Sequence, residues 1–296
     1  MTVVEVEGRS LKLSNLDKVL YPTGFTKAEV IDYYAKVGAA ILPHLSDRAL
    51  TRRRFPNGVE GQTFYEKNCP THRPDWLDVY RVTGDDGTID FCRIDSLPAL
   101  LWLANLAALE LHTSMARAHD PDTPTMVVFD LDPGLPADLV DCCEVGLWLR
   151  HVLDSLGLEC FAKSSGSKGL QVYLPLNTPA DYELTAGFSR TLAQVMEQQH
   201  PDRCVSLQRK DLRVGKVLID WSQNSRHKTT VCAYSLRARP RPTVSTPVTW
   251  EEVEACLEAR DPELLTFEAP EVLDRIAEHG DLWAPTLTLA QELPKL

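Results

Sequence analysis

Two aspartates stand two residues apart at the end of the apolar run VVFDLDPG, residues 127–134. The run predicts a buried strand, and Pro133 has no N–H to donate to a ladder, so the strand should end there or lie at an edge. Residues i and i+2 of a strand face the same way, about 6.6 Å apart. Asp130 and Asp132 would therefore direct both carboxylates to one point, where hard oxygen ligands suit Mg²⁺ or Mn²⁺. The plainer alternative is an aspartate that only caps the following turn.

A third carboxylate, Asp220, ends another apolar stretch in KVLIDW. Two metal ions roughly 4 Å apart need about three carboxylates when substrate phosphates supply further oxygens. Lys228 and Arg237 follow closely in the sequence and are suited to neutralising such phosphates.

A small, lysine-bearing loop lies between two predicted strands in KSSGSKGLQVYLPL, residues 163–176. Exposed backbone N–H groups in such a loop bind phosphate, and Lys168 adds positive charge. The spacing is not that of a P-loop. A plain hairpin turn is the alternative.

A basic residue, Lys27, stands in the first turn of a helix that Thr26 and Glu29 open with a capping box. The helix dipole disfavours a cation there, which makes sense if Lys27 shares an anion bound at this helix end with Lys18. Alternatively, Glu29 neutralises Lys27.

Basic and aromatic side chains follow in TRRRFPNG and TFYEKN. Arg52 and Arg54 should share one strand face, and Phe64 and Tyr65 offer flat surfaces on which bases stack. Strand alternation predicts that one of these two aromatics enters the core.

The composition, with 44% hydrophobic and 25% charged residues, is typical of a globular protein. Neither a membrane span nor a signal peptide is predicted, which favours the cytoplasm. The eight cysteines are scattered without a C-x-x-C pair, so we expect buried free thiols rather than a zinc site or a disulfide framework.

The net charge of −11 conceals a strong asymmetry. Residues 247–296 hold twelve acidic and three basic side chains, whereas residues 202–245 hold ten basic and three acidic ones. The basic segment suits an anionic ligand, although a solvated loop region would show the same charge.

The chain reads as a mixed α/β domain whose sheet is partly antiparallel. Helices are predicted at 27–41, 95–111, 136–156, 250–259 and 270–279, and strands at LECFA, LQVYLPL and KVLIDW. A Pro-rich connector, residues 235–250, separates a main body, 1–246, from an acidic helical section, 247–296.

Together these stretches resemble the polymerase domain of bacterial ATP-dependent DNA ligase D, in the archaeo-eukaryotic primase superfamily. The matching segments, in the family's order, are LDKVLYP, GFTKAEVIDYY, TRRRFPNG, ALELH, VVFDLDPG, SSGSKGL, VGKVLIDWSQNSRHKTT and YSLRAR. The resemblance implies one primase-polymerase catalytic domain over 1–296. Its expected activity is template-directed nucleotidyl transfer of NTPs or dNTPs with Mn²⁺ or Mg²⁺, at gaps or breaks bearing a 5′-phosphate.

The resemblance also implies roles for individual residues. The metal ligands would be Asp130, Asp132 and Asp220. The nucleotide contacts would be Ser165, Lys168, Gln171, Gln223, Lys228, Arg237 and His112, although a lone histidine such as His112 is more often structural. The DNA contacts would be Lys18, Lys27, Arg52, Arg54, Phe64, Tyr65, Lys210 and Arg213. The implied setting is non-homologous end joining or gap filling at the bacterial nucleoid, with a Ku-type end-binding protein and a separate ligase as partners.

One departure is Gln171, where the family usually has histidine. Glutamine donates hydrogen bonds but never carries a charge, which predicts a slower or more Mn²⁺-dependent enzyme. Two alternatives remain open at this point: a non-catalytic protein that binds DNA ends, and a phosphatase of the haloacid dehalogenase type.

Overall fold

The computed structural model describes residues 2–84 and 87–294. The chain folds into two compact units. Unit 1 comprises Met1–His119, Thr229–Val244 and Glu268–Gly280, and unit 2 comprises Asp120–Lys228, Ser245–Phe267 and Asp281–Leu296. The acidic section 247–296 contributes to both units, and the prediction that 1–296 forms one catalytic domain stays a prediction.

The elements are as follows. The strands are β1 Thr2–Val6, β2 Arg9–Leu13, β3 Arg48–Arg54, β4 Phe64–Glu66, β5 Val79–Gly84, β6 Gly87–Cys92, β7 Ala108–Arg117, β8 Asp120–Pro124, β9 Met126–Pro133, β10 Phe161–Ser164, β11 Leu170–Pro175, β12 Cys204–Val205, β13 Val217–Asp220, β14 Thr230–Val231 and β15 Pro247–Val248. The helices are α1 Lys27–Leu45, α2 Leu97–Asn105, α3 Leu139–Ser155, α4 Tyr182–Gln199, α5 Trp250–Ala259 and α6 Ala269–His279.

The sheet of unit 2 has the strand order β12-β13-β9-β11-β10-β15. Strand β9 runs antiparallel to both β11 and β13, while β12 pairs with β13 in parallel. The prediction of a partly antiparallel sheet flanked by helices is confirmed. Because successive side chains alternate between the two faces, β9 directs Val127, Phe129 and Leu131 to one face and its aspartates to the other.

The apolar face of this sheet forms the core of unit 2. Phe129 and Leu131 are fully buried with α3 residues such as Leu149. Gly146 lies where α3 crosses the sheet, since a Cβ there would be 2.8 Å from Leu170 Cδ2. Burial of this face fixes the register, because a shift by one residue would turn the aspartates into the core.

Unit 1 contains a sheet with the order β14-β7-β3-β4, the hairpins β1–β2 and β5–β6, and the helices α1, α2 and α6. The predicted capping box of Thr26 and Glu29 opens α1. Two buried tyrosines tie α1 down: Tyr33 Oη donates to Tyr234 O at 2.8 Å, and Tyr34 Oη donates to Leu109 O at 2.7 Å.

Most predicted elements are confirmed, including α5 at its predicted bounds and α6, which ends at Gly280 as expected. The helix predicted over 95–111 is wrong in its second half, where β7 begins at Ala108. Ala107, in the left-handed region at φ 56°, ends the helical turn. The segment is apolar all round, so periodicity could not separate a buried helix from a buried strand.

The cysteine prediction is wrong for one pair, because Cys69 and Cys92 form a disulfide within unit 1. The other six cysteines are free and buried, as expected. Within the described ranges, no helix is long and apolar enough to cross a membrane.

Candidate functional site

Four polar side chains lie side by side across the sheet of unit 2. Lys163 on β10 pairs with Gln171 on β11, Gln171 with Asp130 on β9, and Asp130 with Asp220 on β13. Residues directly opposite one another in antiparallel strands share a face, so the four side chains form one line. We call Lys163, Gln171, Asp130 and Asp220 the cross-strand row. Asp132 lies on the same face, two residues after Asp130.

Asp130 is the electrostatic centre of the row. Burial raises the pKa of its carboxyl to about 6, and the negative charges of Asp132 and Asp220 act in the same direction. The hydrogen bond from Gln171 Nε2 to Asp130 Oδ1, 3.0 Å long, and the positive charge of Lys163 oppose this rise. The clustered carboxylates repel one another, so a bound cation would favour their ionised forms.

The other two carboxylates have their own partners. Asp220 is buried and accepts hydrogen bonds from Ser222 Oγ at 2.6 Å, from Gln223 Nε2 at 2.9 Å and from Gln208 Nε2 at 3.0 Å. Asp132 is more exposed, and Arg213 Nη2 lies 3.6 Å from its Oδ2.

The donor set fits a divalent cation, although its side chains do not converge as they stand. Among residues 2–84 and 87–294, no three His, Cys, Asp or Glu side chains are placed to ligate one ion. Three carboxylates on neighbouring strands nevertheless provide the oxygen ligands that Mg²⁺ and Mn²⁺ prefer. Because amide and hydroxyl donors hold Asp220, ligation would require these contacts to rearrange.

The loop between β10 and β11 packs tightly onto β9. A Cβ on Gly169 would stand 2.3 Å from Leu131 O, so only glycine fits this position. Ser165 Oγ accepts from Ser167 N at 3.3 Å and from Gly169 N at 3.1 Å. These two N–H groups therefore already have an acceptor within the loop. The predicted phosphate contacts are then the other backbone N–H groups of the loop and the side chain of Lys168. Lys168 is exposed, and its Nζ lies 3.3 Å from Pro133 O.

A turn of 3₁₀ helix at Trp221–Gln223 continues β13 and holds further predicted residues. Gln223 contacts Asp220, and Lys228 Nζ donates to Ser222 Oγ at 2.6 Å. Lys228 is thus linked to Asp220 through one hydroxyl group.

The predicted loop with Lys210 and Arg213 lies beside β9 in unit 2. A Cβ on Gly134 would come within 1.9 Å of Arg213 O, so the two backbones touch at that glycine. Lys210 is exposed, whereas Arg213 is partly buried near Asp132.

In unit 1, His112 and Arg237 meet at a carboxylate that sequence reasoning missed. Glu110 is buried, and its oxygens lie 3.0 Å from His112 Nε2, 2.9 Å from Arg53 Nη1 and 3.3 Å from Arg237 Nε. Burial opposes ionisation of Glu110, but the hydrogen bond with His112 and the charge of Arg237 hold its pKa well below the usual range. Burial also lowers the pKa of His112, despite Glu110.

Three basic residues, Lys18, Lys27 and Arg54, lie close enough in unit 1 for their charges to interact, and we call them the basic group of unit 1. Lys27 is 5% exposed, and its Nζ donates to Ser14 O at 2.6 Å. Burial lowers the pKa of Lys27 to about 8, and the charges of Lys18 and Arg54 contribute to this shift. Glu29 accepts hydrogen bonds from Thr26 in the capping box, whereas the ammonium group of Lys27 donates to Ser14 O.

Arg52 is not placed to contact DNA, which corrects the sequence prediction. It is 1% exposed, and its Nη2 donates to Glu66 Oε2 at 2.6 Å and to Asn68 O at 2.7 Å. Arg54 lies on the same strand face, as predicted, and shares Glu66 at 3.1 Å. Position on a strand face could not show that a neighbouring carboxylate and carbonyl would bury one of the two arginines.

Both predicted stacking residues are on the surface. Phe64 is 38% exposed and Tyr65 is 58% exposed, so the expectation that one of them enters the core is wrong. Strand β4 is only three residues long and lies at the edge of its sheet, where alternation does not enforce burial.

Carboxylates on one face of a largely antiparallel sheet, next to lysines and a glycine-bearing loop, are typical of sites that handle metal-bound phosphates. The chain belongs to the family of the LigD primase-polymerase domain, whose model matches residues 26–283. Membership of this family argues against the alternative that the chain is a phosphatase of the haloacid dehalogenase type.

Relatives and a solved structure agree with this assignment. The chain is 43% identical over 278 residues to the "Multifunctional non-homologous end joining protein LigD" of Mycolicibacterium smegmatis, covering 93% of this chain and 36% of that protein. It is 32% identical to the "Bifunctional non-homologous end joining protein LigD" of Bacillus subtilis, covering 91% of this chain and 43% of that protein. The chain therefore spans less than half the length of these relatives.

The fold matches that of the polymerase domain of Mycobacterium tuberculosis ligase D, solved in complex with DNA. The TM-score is 0.87 at 40% sequence identity, covering 95% of this chain and 99% of the other. The predicted fold class is confirmed.

Three residues with contacts at these sites were missed from the sequence. They are Glu110, Lys163 and Gln208. Glu110 stands two residues before His112 in ALELH, and Lys163 stands two residues before Ser165 in KSS. Residues two apart in a strand share a face, so strand periodicity offered a signal for both Glu110 and Lys163. Gln208 stands outside a strand and gave none.

Proposed function

We propose that this chain is a template-directed nucleotidyl transferase that adds NTPs or dNTPs to primer 3′ ends at gaps or breaks in DNA. The observation that carries the proposal is the cross-strand row, in which Asp130 and Asp220 are in register on adjacent strands with Asp132 on the same face. Membership of the primase-polymerase family supports the same activity.

Asp130, Asp132 and Asp220 are the proposed ligands of two divalent ions, Mn²⁺ or Mg²⁺. Bound there, the ions would lower the pKa of the primer hydroxyl and stabilise negative charge on the triphosphate. Gln171 supports ligation by donating a hydrogen bond to Asp130, which favours its ionised form. Gln208 and Gln223 donate hydrogen bonds to Asp220, and these contacts would rearrange when an ion binds.

The proposed triphosphate contacts in unit 2 surround the same carboxylates. Lys168 projects from the β10–β11 loop, which Ser165 holds in shape, and Lys228 lies one hydroxyl away from Asp220. Lysine binds phosphate as a mobile point charge, which suits residues that must follow the nucleotide as it enters and pyrophosphate as it leaves. Gln223 and Gln171 add amide donors. The assignment of His112 and Arg237 as nucleotide contacts stays a prediction.

The basic group of unit 1 is proposed to bind the 5′-phosphate on the far side of a gap. Lys27 is buried beside Lys18 and Arg54, whose like charges lower its pKa. A phosphate would offset this repulsion and give Lys27 an anionic partner in addition to Ser14 O. Phe64 and Tyr65 are proposed to stack on template bases, and Lys210 and Arg213 to contact the primer or template backbone.

The proposed setting is repair of broken or gapped DNA at the bacterial nucleoid, in the cytoplasm. The printed names of the relatives place those proteins in non-homologous end joining. We propose a Ku-type end-binding protein and a separate ligase as its partners, as the resemblance to ligase D implies.

The test is primer extension on a short gapped duplex with a downstream 5′-phosphate, with Mn²⁺ and either NTPs or dNTPs. Asp130→Ala and Asp220→Ala should each abolish template-directed addition. Asp154→Ala is the matched control, because this carboxylate on α3 is exposed and forms a surface ion pair with Arg150. Nucleotide addition at the wild-type level by both Asp130→Ala and Asp220→Ala would contradict the proposal.

The end-binding alternative predicts a different result. Phosphate-dependent binding of the gapped duplex by the wild type, without any nucleotide addition, would favour a non-catalytic protein. Gln171→His would then show whether the missing histidine is the cause, because histidine restores the residue usual in the family.

A further inference from the structure

Lys163 is a buried cation at the start of the cross-strand row. Its side chain is 1% exposed, and Nζ donates hydrogen bonds to Gln171 Oε1 and, at 2.7 Å, to Ser245 Oγ. The ammonium group also lies 5.4 Å from the centre of the Tyr173 ring. Burying an ammonium group is costly unless hydrogen bonds and charges compensate for the lost water. The contacts of Lys163 therefore indicate a specific role.

Gln171 is held between Lys163 and Asp130 by two hydrogen bonds of opposite sense. Its Oε1 accepts from Lys163 Nζ, and its Nε2 donates to Asp130 Oδ1 at 3.0 Å. An ammonium group can only donate and a carboxylate can only accept, so this arrangement permits one orientation of the amide. The oxygen must face the lysine and the nitrogen must face the aspartate.

We propose that Lys163 is a positioning residue that acts through Gln171 to hold Asp130 ready for a divalent cation. This inference rests on the proposed function, because it assigns Asp130 to a metal site. Partners of metal-ligating side chains fix the orientation of the ligand, and their loss weakens metal binding. Gln171 carries no charge itself, but Lys163 places a positive charge one side chain further along the row.

The loss of Lys163 would act on Asp130 through the amide. Gln171 Oε1 would become a buried acceptor without its donor, which is unfavourable, so the side chain would move to find another partner. Asp130 would then lose its hydrogen bond from Gln171 Nε2, the contact that orients its carboxylate. The carboxylate would be less well oriented for an ion.

A purely structural role for Lys163 makes a different prediction. In that case Lys163 only joins β10 to the segment containing Ser245, and its loss should lower stability whatever residue stands at 171. The two roles are separable, because only the positioning role requires Gln171.

The experiment is a double-mutant cycle on the full chain with Lys163→Met, Gln171→Leu and the double variant. Binding of Mn²⁺ alone is measured by electron paramagnetic resonance of the free ion, and single-nucleotide addition is measured in parallel. We expect each single variant to weaken Mn²⁺ binding roughly 10- to 100-fold, and the double variant to bind no more weakly than the weaker single one. Ser245→Ala is the matched control, since it removes a hydrogen bond of Lys163 that does not involve Gln171 and should leave Mn²⁺ binding near that of the wild type.

Lys163→Gln protects the test against a folding defect. It keeps an amide donor for Gln171 without the charge, so it should retain more Mn²⁺ binding than Lys163→Met, and it replaces that variant if thermal unfolding shows that Lys163→Met is not folded.

Two results overturn the inference alone: losses in the double variant equal to the product of the single losses, or unchanged Mn²⁺ binding in the Lys163 variants. A wild-type protein that neither binds Mn²⁺ nor adds nucleotides would overturn the proposed function as well.

Discussion

Binding of the 5′-phosphate is expected to weaken as the pH rises through about 8, because Lys27 loses its proton there. Burial and the charges of Lys18 and Arg54 lower the pKa of Lys27 from 10.5 to about 8. A neutral amine still donates to Ser14 O, but it no longer attracts the phosphate. Lys18 and Arg54 also belong to the site, so binding should weaken without disappearing.

The magnitude follows from the fraction of protonated Lys27. With a pKa of about 8, roughly nine-tenths of Lys27 is charged at pH 7 and roughly one-tenth at pH 9, so affinity for the phosphate should fall about tenfold, or about 1.4 kcal/mol. The second pKa of a terminal phosphate is about 6, so at least about nine-tenths of it is doubly ionised throughout this window.

The assay is fluorescence anisotropy with a gapped duplex that carries either a 5′-phosphate or a 5′-hydroxyl, at pH values from 7 to 9. Only the phosphorylated duplex should show the pH dependence. Lys27→Arg is the control, because arginine keeps its charge throughout and should abolish that dependence. Equal pH dependence for the two duplexes, or its persistence in Lys27→Arg, would refute the reasoning.

The stability of the free protein should respond to Lys27 with the opposite sign. Its folded-state pKa lies below the unfolded value, so the unfolded chain binds more protons between about pH 8 and 10.5. Because the folded chain gives up the proton of Lys27 at a lower pH than the unfolded chain, unfolding becomes less favourable as the pH rises through that window. The urea midpoint of the wild type should therefore rise relative to that of Lys27→Met between pH 8 and 10.

Three further predictions concern other parts of the chain. Gly169→Ala should displace the β10–β11 loop, lower the free energy of unfolding by about 1–3 kcal/mol and reduce nucleotide addition, whereas Gly187→Ala, with nothing within 4 Å of the new Cβ, should lower neither. Replacing Cys69 and Cys92 by serine should destabilise the protein by about 2–4 kcal/mol in urea unfolding, since their disulfide closes a loop across a separation of 23 residues, and an unchanged midpoint would argue against the bond. Glu110→Gln should lower the free energy of unfolding by about 3–5 kcal/mol in the same assay, because Arg53 and Arg237 lose the negative charge with which they pair. A loss below about 1 kcal/mol would show that these ion pairs do not stabilise the fold.

The grouping of Asp130 and Asp132, two of the proposed metal ligands, could be predicted because local pattern alone positions them. An apolar run that ends in Asp130 and Asp132 must direct both to one face, whatever the strand pairs with. The chain order of the other strands does not show which will be neighbours. That Asp220 stands in register with Asp130 depends on a pairing between distant segments. Lys163 pairs with Gln171 within one hairpin, so strand periodicity offered a local signal for it that was overlooked.

Burial of charged residues was harder to predict than their grouping. Arg52 and Arg54 share a face as expected, yet Glu66 and Asn68 O bury one and leave the other accessible. The disulfide was missed because Cys69 and Cys92 are brought together only by the fold. Helix caps and glycine stops, in contrast, are local signals, and they placed α1, α5 and α6 correctly.

The central claim, that three aspartates of unit 2 form the metal site of a nucleotidyl transferase, is tested most directly by anomalous X-ray scattering from crystals grown with Mn²⁺ and a non-hydrolysable nucleoside triphosphate. The account predicts anomalous peaks within about 2.5 Å of the carboxylate oxygens of Asp130, Asp132 and Asp220. Manganese bound to other residues, in a protein that extends primers under the same conditions, would contradict it.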